Sequence, residues 1–273
     1  MTDPIWQHRG SELRLGDGLA GMAALADESV HAVLVDPPYG MMVHADVPKS
    51  GLNQHGSVRR NLEFDHHVAD LDNLREMYTA LLGQSARVLT TGGWVAMWLK
   101  AERLNVAEEV GTAVGLRYRH PLVLHRTNPT PRIRVQGPCV AHEFAALFSK
   151  GAGIFYGKPA AKCHSVMTHA VTSGSQRWHA TQKPMGLMRE LVQWFSPEGG
   201  VVCDPMAGSG STLLACVELG RTGLGWEIDP KQAQVSALAL SGDWRQARTK
   251  AFEYGILVGR EDNDPSLFDK EQS

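Results

Sequence analysis

At 273 residues, 43% hydrophobic and 21% charged, the chain is long enough to bury a substantial core in one α/β domain with insertions. Four scattered cysteines (Cys139, Cys163, Cys203, Cys216) with no Cys-x-x-Cys pair argue against a disulfide framework and a zinc site, and for reduced thiols in a cytosol. No apolar run approaches a membrane span, and the start, MTDPIWQHRG, carries no secretory pattern. The net charge of −2 hides an asymmetry: Val110 to Arg189 holds eleven Lys or Arg and a single acid, Glu143, a local +10 that points to a polyanionic partner.

Glu12 to Leu15 reads as a first short strand, followed by Gly16-Asp17 and a helix from about Gly18 to Leu25, for which Asp17 is a candidate N-cap. Ala32 to Val35 is an apolar run suited to the middle of a parallel sheet. It stops at Asp36-Pro37-Pro38-Tyr39, where two prolines forbid further ladder pairing and leave an acid, two rigid carbonyls and a ring at the strand's carboxyl end, the edge at which open α/β sheets bind ligands. Residues 41 to 67 show no sustained period and contain Arg59, Arg60 and dispersed histidines without metal-ligand spacing; beside an active site, such a stretch is expected to be a mobile loop over substrate.

Val68 to Leu89 has one apolar face of a helix, which Gly92-Gly93 is expected to end before a strand over Trp94 to Leu99 and a helix over Glu102 to Val114. Leu116 to His125 and His142 to Phe148 are joined too closely for a crossover helix, so they are expected to form an antiparallel hairpin at the sheet edge. The hairpin loop offers Arg126, Asn128, Arg132 and Arg134, and the irregular stretch after it, to Ala180, adds Lys158, Lys162 and Arg177. Such residues suit phosphates and base edges of double-stranded DNA. Two insertions, about 126–141 and 150–180, are therefore the expected recognition surface. Met185 to Phe195 reads as a helix led by Thr181-Gln182-Lys183-Pro184.

Val201 to Asp229 reads strand (Val201 to Asp204), turn (Pro205 to Gly210), helix (Ser211 to Leu219), strand (Gly223 to Glu227). Gly208 and Gly210 permit a sharp turn near a ligand, and Glu227 follows seventeen residues after Gly210, placed for a ribose diol as in nucleotide-binding βαβ units. No Gly-Lys-Ser/Thr follows, so this is not a P-loop. A helix from Pro230 to about Leu240 completes the domain, 1–255, and the acidic residues 256–273 are expected to be a disordered tail.

Asp36-Pro37-Pro38-Tyr39, Asp204-Pro205-Met206-Ala207-Gly208-Ser209-Gly210-Ser211, Thr181-Gln182-Lys183-Pro184 and Gly16-Asp17 together resemble the β-class amino-methylating DNA methyltransferases that use S-adenosylmethionine, with the catalytic motif first and the cofactor loop last. The resemblance spans residues 12 to 240; Met206 stands where the family usually carries Phe. It implies a Rossmann-like methyltransferase fold, with a mostly parallel seven-stranded sheet, an antiparallel edge hairpin and helices on both faces. It implies S-adenosylmethionine at Asp17, Thr181 to Pro184, Asp204 to Gly210, Thr212, Glu227 and Asp229, and catalysis by Asp36 to Tyr39 on a base flipped out of the duplex. Cytosine members usually carry Ser where Asp36 stands, so adenine N6 is the expected target and cytosine N4 the alternative. A nicotinamide oxidoreductase would share the glycine loop and Glu227 but not Asp36-Pro37-Pro38-Tyr39 or the basic segment. A non-catalytic DNA-binding module would lack the acid or the loop, and both are present. The family implies a cytoplasmic, nucleoid-associated enzyme of a prokaryote or phage, with no metal and no membrane, and leaves room for a homodimer and a partner restriction nuclease.

Overall fold

The computed structural model describes residues 3–38, 71–129, 138–158, 162–172 and 176–257. Tyr39, the loop expected over 41–67 with Arg59 and Arg60, the loop-tip residues Arg132 and Arg134, and all of the expected acidic tail but its first two residues lie outside that set.

In chain order the elements are β1 (Trp6–His8), β2 (Ser11–Leu15), α1 (Gly18–Ala23), β3 (Val30–Val35), α2 (Leu71–Val88), β4 (Leu89–Leu99), a 3-10 turn (Ala101–Arg103), α3 (Leu104–Ala113), β5 (Arg117–Arg126), β6 (His142–Ser149), β7 (Val166–His169), α4 (Met185–Phe195), β8 (Val201–Asp204), α5 (Ser211–Glu218), β9 (Thr222–Glu227), α6 (Pro230–Leu240) and α7 (Trp244–Glu253). The strands form one sheet in the order β1-β2-β9-β8-β3-β4-β6-β5-β7. The run β2-β9-β8-β3-β4 is parallel throughout, and antiparallel pairing is confined to β1/β2, β4/β6 and β6/β5.

The two faces are read directly from strand alternation. On β3, Val33 and Val35 join a core with Leu74, Tyr78, Leu81 and Leu82 of α2 and Val106 and Val110 of α3. Ala32 and Leu34 face the other way, into a core with Leu187, Met188, Leu191, Val192 and Phe195 of α4 and Ala215 and Cys216 of α5. Each such buried aliphatic side chain contributes about 1.5–3 kcal/mol of transfer free energy, which fixes the register of the central strand. Deep burial alone pushes the Tyr78 hydroxyl up to about 12.

The sheet has nine strands among the described residues, not the expected seven. β1 adds a three-residue ribbon to β2, and β7 pairs parallel with β5. The β5/β6 hairpin is antiparallel as expected, but β7 lies outside it, so the hairpin is internal rather than the edge. Gly92 and Gly93 do not end a helix; they sit inside β4, which begins at Leu89. Gly92 has φ +91°, and a Cβ there would lie 2.6 Å from Ile154 Cγ1; its N–H donates to Lys150 O and its carbonyl accepts from Ile154 N. Close passage of the chain after β6, not helix termination, explains that glycine.

Candidate active site

The sheet's chain direction explains where the site must be. From β3 the chain proceeds to β4 on one side, whereas β8 leads to β9 on the other, so the crevice between the carboxyl ends of β3 and β8 is the topological switch point. Asp36 follows β3 directly and Asp204 ends β8, one on each side of that crevice. Because β6 runs antiparallel to β4, pairing Phe144 with Leu99, the start of β6 and the end of β5 reach the same edge.

On the β8 side the turn is held by its own backbone and by helices behind it. Gly210 is the α5 N-cap at φ 76°, ψ 8°, a left-handed conformation that favours glycine. Ala207 N–H donates to Trp226 O (2.7 Å), and Gly210 N–H to Ala207 O (2.8 Å). The Gly208 carbonyl accepts from Ser236 Oγ (2.5 Å) and Gln232 Nε2 (3.2 Å), both on α6, while Ser209 O accepts from Trp178 Nε1 (2.8 Å). Pro205 packs so closely on α1 that a Cβ on Gly18 would overlap the Pro205 carbonyl, which brings Asp17 against the turn. Met206 is half-buried and packs against the core.

Four carboxylates line this half. Glu227 Oε2 accepts from Gly208 N–H (3.0 Å) and Oε1 from Asp229 N–H (2.9 Å); burial pushes its carboxyl up, against the pull of those amides. Asp204 accepts from Thr212 Oγ1 (2.5 Å) and Met206 N–H (3.2 Å), yet burial, with smaller contributions from the charges of Asp36 and Glu227, raises it to about 7. Asp17 and Asp229 cap α1 and α6, accepting from Leu19 N–H (2.9 Å) and Lys231 N–H (2.8 Å).

The segment before α4 crosses from one half to the other. Pro184 is the N-cap of α4, and the buried Gln182 accepts from Trp178 N–H through Oε1 (3.2 Å), fixing its own loop. Thr181 donates its N–H to His179 Nδ1 (3.1 Å). His179, which the sequence reading overlooked, stands over Gly208, 3.7 Å from where a Cβ would be, and burial pushes its imidazole down to about 4. Lys183, expected at the cofactor, reaches Asp36 and Glu143: its Nζ lies 2.7 Å from Asp36 Oδ2 and 3.1 Å from Glu143 Oε2. Burial opposes that ammonium's charge, but Asp36 and Glu143 together outweigh it and raise the Lys183 pKa.

The expected DNA-contacting residues divide. Lys158 and Lys162 are exposed. Arg126 Nη1 is 3.5 Å from Glu143 Oε1, and its Nη2 donates to Val140 O. Asn128 does not present its amide outward: Oδ1 accepts from Val171 N–H (2.6 Å) and Nδ2 donates to Val171 O (3.3 Å), strapping the two insertions together. Arg177 is likewise turned inward, with Nε donating to Thr172 O (2.6 Å) and burial lowering its pKa.

Solved structures of known proteins share this architecture. The fold is similar to that of M1.HpyAVI, solved with SAM (18% identity, 84% of this chain and 98% of that one, TM-score 0.63), and to that of the cytosine-N4-specific PvuII DNA methyltransferase (13%, 91% and 96%, TM-score 0.66). In sequence the chain is similar to the type II methyltransferase M2.DpnII of Streptococcus pneumoniae, 24% identical over 259 residues (89% of this chain and 94% of that protein). M.HinfI of Haemophilus influenzae is 23% identical over 240 residues (81% and 66%). Residues 30–238, which hold Asp36, Lys183, the glycine turn and Glu227, match the N6/N4 DNA methylase family, and the chain belongs to that family of amino-methylating DNA methyltransferases.

Proposed function

We propose that the protein transfers a methyl group from S-adenosylmethionine to the exocyclic N6 of adenine in a base flipped out of double-stranded DNA. The observation that carries this reading is Asp36: a carboxylate at the carboxyl end of β3, oriented by Lys183 and across the switch-point crevice from Asp204 at the end of β8.

The donor set suits the cofactor. The turn Gly208 to Gly210 leaves the backbone approachable, the half-buried Glu227 suits a ribose diol, and Asp17 lies beside the turn for the adenine amino group. When bound, S-adenosylmethionine supplies an electrophilic methyl on a sulfonium, whose transfer to nitrogen leaves a neutral thioether. An aromatic amino group is a weak nucleophile because its lone pair is delocalised into the ring. Asp36, with the Pro37 carbonyl, accepts its N–H hydrogen bonds and localises that pair on nitrogen; the proton displaced on methylation leaves through the carboxylate to solvent. The reading gives Tyr39 the stacking contact with the extruded base. His179 and the pinned turn exclude water and hold the line of approach.

Cytosine N4 is the second reading, favoured by the likeness to the PvuII enzyme; an acceptor such as Asp36 serves either amino group. Incubation with methyl-labelled S-adenosylmethionine and mixed-sequence duplex DNA, followed by digestion to nucleosides, tests both. Label in N6-methyladenine is the expected result. Label in N4-methylcytosine selects the second reading, and label in neither contradicts both.

A further inference from the structure

We propose that Glu143 is a positioning residue for methyl transfer, acting through Lys183 on Asp36; the inference rests on the catalytic role proposed for Asp36. Glu143 is the one acid in the eighty residues from Val110 to Arg189, a stretch with eleven Lys or Arg. A surface selected only to attract a polyanion gains nothing from that carboxylate. The antiparallel run of β6 explains its place: Glu143 lies at the start of the strand, on the same edge as Asp36, although 107 positions separate them in the sequence.

Four charges follow one another there. Asp36 Oδ2 is 2.7 Å from Lys183 Nζ, the same nitrogen is 3.1 Å from Glu143 Oε2, and Glu143 Oε1 is 3.5 Å from Arg126 Nη1. The Trp98 ring, with its centroid 5.3 Å from Lys183 Nζ, backs the ammonium. Lys183 is the most enclosed of the four, its side chain 13% exposed against 26% for Asp36 and 34% for Glu143.

An ammonium on Asp36 has two opposite effects. It fixes the carboxylate's orientation, but it also draws electron density from the oxygens that must accept the base's N–H bonds. Sharing the ammonium between two carboxylates keeps the orientation and lessens the withdrawal. Arg126 in turn balances Glu143, so the chain of four is neutral. Removing the Glu143 charge leaves Lys183 wholly on Asp36, which tightens that pair and weakens the acceptor. The cofactor half of the site, built on β8 and β9, is untouched by the change.

The test is a double-mutant cycle read as single-turnover methyl transfer, with S-adenosylmethionine affinity by calorimetry and thermal melting measured beside it. Glu143→Gln is expected to slow transfer at least tenfold while cofactor affinity and Tm stay close to wild type. In a Lys183→Met background, adding Glu143→Gln is expected to change the rate less than twofold, since its route to Asp36 is gone; Lys183→Gln replaces Lys183→Met should the latter fail to fold. Three results overturn the inference while leaving the proposed function standing: a Glu143→Gln rate within twofold of wild type, an equal loss in both backgrounds, or a loss matched by weaker cofactor binding. A wild type that binds S-adenosylmethionine yet methylates no DNA amino group overturns both.

Discussion

The two halves of the active edge are built by different means. On the β8–β9 side, charges are held by backbone: Glu227 by two amide N–H groups, Asp17 and Asp229 by helix N-termini, and the glycine turn by α6 and Trp178. On the β3–β6 side, charges are held by other charges, through Asp36, Lys183, Glu143 and Arg126. Amide hydrogen bonds fix a shape and suit a cofactor that is the same at every turnover. Ion pairs set the strength of an acceptor and suit a site that must act on a substrate's lone pair. Substitutions on the two sides should therefore separate cleanly into losses of rate and losses of cofactor affinity.

The largest separation is expected at Asp36. Asp36→Ala should slow methyl transfer by roughly 10²–10⁴-fold, the usual scale for a group that handles a reacting proton, while S-adenosylmethionine affinity measured by calorimetry barely changes. Glu227→Ala should do the reverse, weakening the cofactor by about 1–3 kcal/mol as a charged hydrogen-bond acceptor is lost, with a much smaller effect on the rate at saturating cofactor. If both substitutions moved rate and affinity together, the two halves would not be independent.

Asp204 sharpens the comparison through pH. Its carboxyl is raised by burial to about 7 in the folded protein, so between about 4 and 7 the folded state holds a proton that the unfolded chain has released. That contribution to stability is complete at low pH and is lost as pH rises through about 7. Asp204→Asn removes this titration, and the Tm of wild type relative to the variant should fall as pH goes from 4 to 7. A constant difference across that range would contradict the buried-acid description. The smallest effects belong to the exposed cations: Lys158→Ala and Lys162→Ala should weaken binding to all duplexes alike and make the salt dependence shallower, in titrations at two ionic strengths.

Much of the backbone-held half is legible in the sequence because its contacts are local. Val201 to Asp204, the turn after it and Met185 to Phe195 have the expected bounds, and Glu227 ends its strand as expected. What escaped has weak periodicity or none. β1 has three residues, and β7 has four with only Met167 buried. α7 buries Ala247 and Ala251, residues too small to mark an apolar stripe, against Trp178. The tail expected to begin at 256 starts with Ile256 and Leu257, which pack on that same cluster. The pairing within the charge-held half is illegible for a deeper reason. Asp36, Arg126, Glu143 and Lys183 come from four segments with no shared spacing, and only the order of strands brings them together. One trace was visible, since Glu143 stands alone among the basic residues, but sequence says nothing about which cation it meets. Asn128 shows the converse: a residue type suited to reading adenine is spent on the Val171 backbone.

The central claim is that Asp36, held at the switch point by Lys183, activates an adenine amino group. The most direct measurement is sequencing that detects modified bases, on DNA from cells expressing either wild type or Asp36→Ala at equal protein levels. Wild type is expected to place N6-methyladenine at one short recurring sequence, and Asp36→Ala to leave that sequence unmodified. Methylation undiminished in Asp36→Ala, or a wild type that leaves every adenine unmodified, would contradict the account.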